Sequence, residues 1–255
     1  MTSHDLLDLF FARSGVVCIV GAGGKKTTIY RIISRHSGRV AVTSTVYTPP
    51  YRARLGAHVV IAPEAELKEK VVRACRQHRR IAYGQPSDKV ARVRGVTPAC
   101  LSAIHVEARF DLTLVKADGA RLRWAKAPAE DEPCVPDRYD TLITVVSVRA
   151  LDMPLSSDVV HRPEQFARIA GMRQNERISP VHLARLLSSA DGALKAADDA
   201  TVVALINMVE SRDQQRLARA IAEQALELNP RLRRVVVAAM VRDEPVMDVI
   251  EGAGA

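Results

Sequence analysis

The sequence predicts a three-layer α/β fold, a mainly parallel sheet with helices on both faces. Three observations carry that expectation. Short runs of β-branched and apolar residues alternate with helical stretches along the chain, the pattern of strand–crossover–strand units. The first such run, Val16–Val20, stops at Gly21 and opens into Gly21-Ala22-Gly23-Gly24-Lys25-Lys26-Thr27-Thr28, the order strand, glycine loop, helix. No internal repeat, low-complexity tract or linker interrupts the 255 residues, so one domain over 1–255 is expected, with a helical insertion near 161–200.

Leu6, Leu7, Leu9, Phe10 and Phe11 read as a short amphipathic helix ahead of the first strand. After the glycine loop, a helix from about Lys25 to Arg35 turns Ile29, Ile32 and Ile33 inward, and Ser37-Gly38 ends it. Arg39–Thr45 is a second strand whose tip, Thr43-Ser44-Thr45, is crowded with hydroxyls, and Tyr47-Thr48-Pro49-Pro50 is a rigid loop. Val59–Ala62 is a strand, and Ala65–His78 a helix with Leu67, Val71 and Cys75 on one face. Arg80–Tyr83, a turn over 84–88 and Lys89–Arg94 read as a hairpin-like excursion. Thr97-Pro98 opens a helix to about Arg109, a hydroxyl cap with proline in the first turn. Leu112–Ala117 is a buried strand ending at Asp118-Gly119, and a loop rich in proline and charge runs from Arg121 to Asp140. Thr141–Val148 is the next strand. Two helix patterns follow, the second opening at Ser179-Pro180. Thr201–Asn207 is a strand, Gln214–Leu228 a helix with Leu217, Ile221 and Leu228 on one face, and Arg234–Val241 the last strand.

Composition narrows the classes of function. Hydrophobic residues make up 47% and charged residues 26%, ordinary for a globular chain. The net charge of +8 suits anionic ligands. Aromatic residues are only 4%, with no RNA-binding aromatic motif and no helix-turn-helix signal, so nucleic acid is not the expected partner. No apolar run reaches the ~18–20 residues of a membrane helix, and Met1-Thr2-Ser3-His4-Asp5 lacks the basic start of a signal peptide, so no membrane association is expected. Cys18, Cys75, Cys100 and Cys134 are scattered without C-x-x-C spacing, which fits free thiols in a reducing cytoplasm. The seven histidines form no H-x-x-x-H cluster, so no dedicated zinc site is expected.

The glycine loop carries the clearest chemistry. Its glycines bring backbone N–H groups close to a ligand, and the helix start adds unpaired N–H groups and a positive dipole end. Lys25 would neutralise phosphate, and Thr27 would offer a hydroxyl to magnesium. Gly21, Ala22, Gly23, Gly24, Lys25, Lys26, Thr27 and Thr28 are therefore the expected nucleotide-binding residues of a P-loop NTPase-like domain. The Gly21-x-x-Gly24-Lys25 spacing is two residues shorter than the common G-x-x-x-x-G-K-[ST] pattern. It resembles the loop of Mur-type ATP-dependent ligases, although the chain has little room for their additional domains.

Ligands of such sheets collect at the carboxyl ends of strands. Asp118 is delivered there, and with Thr27 it is the expected magnesium-holding pair; Lys25 and Asp118 are the expected catalytic residues. Asp118-Gly119 also reads as a tight turn. Lys126, Glu130 and Glu132, in a segment stiffened by Pro128 and Pro133, would bind a metal, place a water or pair among themselves. His161 and Arg162 would bind an anion or simply open a helix. Thr43, Thr45 and Lys116 complete the candidates at strand tips.

In the same order, Gly21-Ala22-Gly23-Gly24-Lys25, Thr43-Ser44-Thr45, Ala117-Asp118-Gly119, Lys126-Ala127-Pro128-x-Glu130-x-Glu132-Pro133-x-Val135-Pro136 and Val160-His161-Arg162 resemble the YqeC family over most of the chain. The resemblance implies a cytoplasmic nucleotide-binding accessory protein for maturation of a selenium-dependent molybdenum hydroxylase. It implies ATP or GTP and Mg2+ as cofactors, and the hydroxylase or its cofactor-assembly proteins as partners. The oligomeric state is not implied. Three positions depart from the family pattern. Lys26 stands where the first threonine of Gly-Gly-Lys-Thr-Thr is usual, and Lys116 where Glu-Ala-Asp-Gly has its glutamate. Ile206-Asn207-Met208-Val209-Glu210 replaces a Leu-Asn-Lys-x-Asp-like segment. Met208 cannot do a lysine's part in reading guanine, so ATP is expected to bind at least as well as GTP. The two extra lysines point to weak magnesium-dependent hydrolysis, or to a nucleotide-binding chaperone module that does not hydrolyse.

Overall fold

The computed structural model describes residues 5–173 and 175–253. Met1-Thr2-Ser3-His4, read above for a signal peptide, lies outside them. The elements in order are α1 Leu6–Leu9, β1 Gly15–Gly21, α2 Lys25–Arg35, β2 Val40–Ser44, β3 His58–Ile61, α3 Glu64–Ala74, β4 Arg80–Gly84, α4 Pro98–Glu107 and β5 Leu112–Lys116. Then come β6 Ala125–Lys126, β7 Thr141–Ser147, β8 Val160–His161, α5 Pro163–Ala170, α6 Pro180–Ser188, β9 Thr201–Asn207, α7 Arg212–Leu228, β10 Leu232–Ala238 and β11 Val246–Glu251. Nine strands form one sheet in the order β11-β10-β9-β7-β1-β5-β2-β4-β3, and β6 pairs with β8 in a second. The fold is the expected α/β class with a mostly parallel sheet. β2, β5 and β7 are buried at every position, as near-continuous apolar strands of a covered parallel sheet should be.

Internal contacts divide the chain into two compact units. The first takes the chain up to Ile19, Thr28–Gly119 and Cys134–Thr141. Its strand pairs β1·β5, β5·β2, β2·β4 and β4·β3 are all parallel. The Asp5 side chain caps α1 by accepting from the Leu7 N–H, and Leu6, Leu7, Leu9 and Phe10 are buried. In α2, Ile29, Ile32 and Ile33 are buried, as their spacing predicts. So are Leu67 and Val71 of α3 and the adjoining Cys75. Thr97 caps α4 through its hydroxyl, which accepts from the Cys100 N–H at 3.2 Å, with Pro98 in the first turn. The hairpin-like reading of 80–94 is corrected. β4 lies between β2 and β3 as a parallel strand with Ile81, Ala82 and Tyr83 wholly buried. Beyond its end Gln85 pairs antiparallel with Arg94, and the next residue back, Val93, with Thr48. The turn residues after Gly84 had suggested a local partner, but burial on both faces selects non-local parallel neighbours.

The second unit takes Val20–Thr27, Ala120–Pro133 and the chain from Leu142 onward. Here β9 and β10 pair in parallel, and β10 and β11 antiparallel. The expected last strand is therefore followed by another, an antiparallel edge strand. α6 opens at Ser179-Pro180 as predicted, with a capping box between Ser179 and His182. The face assigned to α7 needs correction. Ile221 is fully buried, but Leu217 is 42% and Leu228 52% exposed. The buried seam is Ala218, Ile221, Ala222 and Ala225, since small side chains let a helix lie close to its neighbours. Among the described residues no helix is long and apolar enough to cross a membrane.

Candidate functional site

The glycine loop is built within the second unit. β1 ends at Gly21, and the Ala22 N–H donates to Val145 O in β7 at 2.8 Å. Gly23 has φ +83° and Gly24 φ +138°, conformations open to glycine and costly for other residues. Space makes the same demand. A Cβ on Gly23 would lie 2.6 Å from the Ser147 Cβ, and one on Gly24 would collide with the Asn207 amide. The loop is thus pressed backbone-first against the carboxyl ends of β7 and β9. Asn207 is buried, its Nδ2 donating to Gly23 O at 2.8 Å and its Oδ1 accepting from the Met240 N–H at 3.0 Å. Lys25, the first residue of α2, is buried and donates its ammonium to Gly21 O. Lys26 and Thr27 are half-buried. The Ser147 hydroxyl donates to the Met208 sulfur at 3.1 Å, so the residue at the guanine-reading position is held by a thioether contact.

Ser147 and Asn207 escaped the sequence reading as parts of the site. Their signal was a polar residue closing an otherwise apolar strand, which also describes an ordinary strand end. In the sequence Asn207 stands out only as part of the Ile206–Glu210 segment.

In the first unit, the strand-tip hydroxyls are turned to main-chain carbonyls. Thr43 Oγ1 donates to Tyr83 O at 2.9 Å, Ser44 Oγ to Lys116 O at 2.8 Å and Thr45 Oγ1 to Cys134 O at 2.6 Å. These bonds tie β2 to β4, β5 and the segment entering at Cys134, whose N–H donates to Ala117 O at 3.1 Å. Thr28 is fully buried and opens this unit's share of α2. Asp118, two residues past β5, is buried. Lys116 is also buried, with its Nζ 3.5 Å from Tyr47 O.

The Lys126–Pro133 segment belongs to the second unit and is ordered by β6 and β8. Lys126 sits opposite His161 in that parallel pair, and the Ala127 N–H donates to His161 O at 3.1 Å. Lys126 Nζ lies 2.6 Å and Arg162 NH1 2.7 Å from the same oxygen of Glu132, which also accepts from the Ala129 N–H at 3.2 Å. Burial pushes the Glu132 carboxyl up, but Lys126, the Ala129 N–H and Arg162 outweigh it and hold the group below its ordinary value. Burial, reinforced by Arg162 and Lys126, lowers His161 to about 4. Glu130 is exposed; its carbonyl and that of Ala129 accept from Lys195 Nζ at 2.7 and 2.6 Å. The segment therefore presents an ion-paired carboxylate rather than a group of free ones. Among the described residues, no three His, Cys, Asp or Glu side chains are grouped to hold a metal ion.

A mostly parallel α/β sheet with a lysine-bearing glycine loop at the end of its first strand defines a protein of the P-loop-like class. More narrowly, the chain belongs to the YqeC family: the family model, described as YqeC protein, matches residues 17–164. That span holds the glycine loop, the strand tips, Lys126, Glu132, His161 and Arg162. The protein of Escherichia coli (strain K12) named "Uncharacterized protein YqeC" is 28% identical over 190 residues, covering 72% of this chain and 71% of that one.

Proposed function

We propose that the chain binds a nucleoside triphosphate, ATP in preference to or as well as GTP, on the loop Gly21–Thr28. In this reading it serves as an accessory protein in maturation of a selenium-dependent molybdenum hydroxylase. The observation that supports binding is the cradle itself. Gly23 and Gly24 pack backbone-first on Ser147 and Asn207 in glycine-favoured conformations, and Lys25 lies folded along the loop at the start of a helix. These residues suit a phosphate group, which would take backbone N–H groups and the Lys25 ammonium. Magnesium would neutralise phosphate charge. Thr27, a hydroxyl in the first turn of α2, is the ligand the loop itself would offer it on the sequence pattern. The role in hydroxylase maturation rests on the family resemblance, and the client is a molybdenum hydroxylase or its cofactor-assembly machinery.

Calorimetric titration with ATP tests the reading. Lys25→Ala should keep its fold and lose most of its affinity; unchanged affinity in the folded variant would sink it. Competition with GTP checks the base, because Met208 offers no lysine to guanine. A second reading, nucleotide binding without turnover, is favoured by buried Lys116 where the family pattern has glutamate. Under it, ATP turnover is negligible in the natural chain and rises when Lys26→Thr and Lys116→Glu are combined.

A further inference from the structure

We propose that Lys126, Arg162 and the Ala129 N–H form a second anion site, one for a phosphate group, in which the Glu132 carboxylate sits as a built-in stand-in that the ligand displaces. The proposal does not depend on the nucleotide reading of the glycine loop.

The geometry is that of a receptor for an oxyanion. Three donors, two from the segment 126–129 and one from Arg162, converge on one atom, Glu132 Oε2: an ammonium at 2.6 Å, a main-chain N–H at 3.2 Å and a guanidinium at 2.7 Å. A single carboxylate oxygen is a crowded acceptor for three donors. Arg162 in particular reaches it through NH1 alone, the same nitrogen lying 3.4 Å from Ala127 O, so the planar fork is not matched. A phosphate group brings several acceptor oxygens and satisfies both the fork and the ammonium.

Charge points the same way. Two cations face one anion in direct contact. His161, opposite Lys126, is kept neutral by burial and by Arg162, Lys126 and Arg121 against the opposing pull of Glu132, so it adds no charge of its own. Lys126 is only 4% exposed, and taking a lysine out of water is costly even when, as here, it meets a carboxylate. An apolar residue would give a cheaper core there, so stability alone does not account for it. Arg162 adds a backbone cost. It sits at φ 66°, ψ 68°, between β8 and the first turn of α5, a left-handed conformation that non-glycine residues adopt at a cost. Access is through the rim: the Arg162 side chain is 32% and that of Glu132 14% exposed.

The test uses the full chain carrying Lys25→Ala, so that the glycine loop does not contribute, and titrates inorganic phosphate and glycerol phosphate by calorimetry. Adding Glu132→Gln should tighten phosphate binding about tenfold, the change expected when a competing charge-assisted contact is removed. Adding Arg162→Ala instead should weaken it by a similar factor, and Arg162→Lys, which keeps the charge without the fork, should fall between. Thermal melts confirm folding, and the near-isosteric Glu132→Gln serves if an arginine variant fails to fold. Tighter binding of glycerol phosphate assigns the site to a phosphoester, and equal or tighter binding of inorganic phosphate to the free ion; either supports it. If Glu132→Gln binds neither ligand at millimolar concentration, or no more tightly than its parent, Glu132 is a structural ion-pair partner and the proposal fails.

Discussion

Asn207 shows how one side chain can hold a loop in shape. Its amide spans Gly23 O and the Met240 N–H, and its nitrogen occupies the space a Cβ on Gly24 would need. Asn207→Ala strips partners from two main-chain groups at once and should cost about 2–5 kcal/mol in chemical denaturation. It should also weaken ATP binding, because the loop loses its brace. His161 gives a pH dependence whose sign follows from its depressed value. The unfolded chain takes up a proton there near 6.5, while the folded chain waits until about 4. Between those values acidification favours unfolding, so stability should fall from about pH 6.5 to about pH 4. His161→Gln should lose less stability than the natural chain across that window in denaturant titrations. At this scale the glycines and Lys25 were legible, because few other local structures demand glycine, glycine, lysine between a strand and a helix. The Lys126–Glu132 pair lay within the readings the segment allowed, but the Arg162 contact did not, since it joins residues 30 positions apart.

Helix α7 separates what periodicity reveals from what it hides. Its spacing identified Ile221, but the remaining inward positions are alanines, which a search for large apolar residues passes over. Ile221→Ala should cost about 2–5 kcal/mol. Leu217→Ala, at a position 42% exposed, should stay within about 1 kcal/mol. Equal losses in urea titration would contradict the alanine-lined seam. The other elements follow the same logic. Capped helices were placed well because Thr97-Pro98 and Ser179-Pro180 act locally. β4 was given the wrong partner because pairing is decided by burial far along the chain. β6 and β8, two residues each, are too short to carry a period at all.

For the whole molecule, the two compact units are interleaved in sequence. The second unit draws on Val20–Thr27 and Ala120–Pro133 as well as the chain from Leu142. A fragment beginning at Leu142 would lack β6, the partner of β8, together with Lys126 and Glu132, which engage Arg162. It would also lack the loop that covers Ser147 and Asn207. Such a fragment should show no cooperative thermal transition, whereas the complete chain should; a sharp transition in the fragment would show that the borrowed segments are dispensable. The parallel sheet class was readable because it is the sum of many alternations. The division into units was not, because a boundary that crosses the chain several times leaves no linker to find.

Trp124 is the single tryptophan of the chain, half-buried one position before β6. Its carbonyl accepts from the Ser147 N–H at 2.9 Å, and the Ser147 side chain fills the space beside Gly23. Two residues further on stands Lys126. The protein thus carries an intrinsic optical probe wired between its glycine loop and its Lys126–Glu132–Arg162 cluster. Emission near the indole band, followed without any label, would report events at either place, and substitutions in one would tell which had moved the signal.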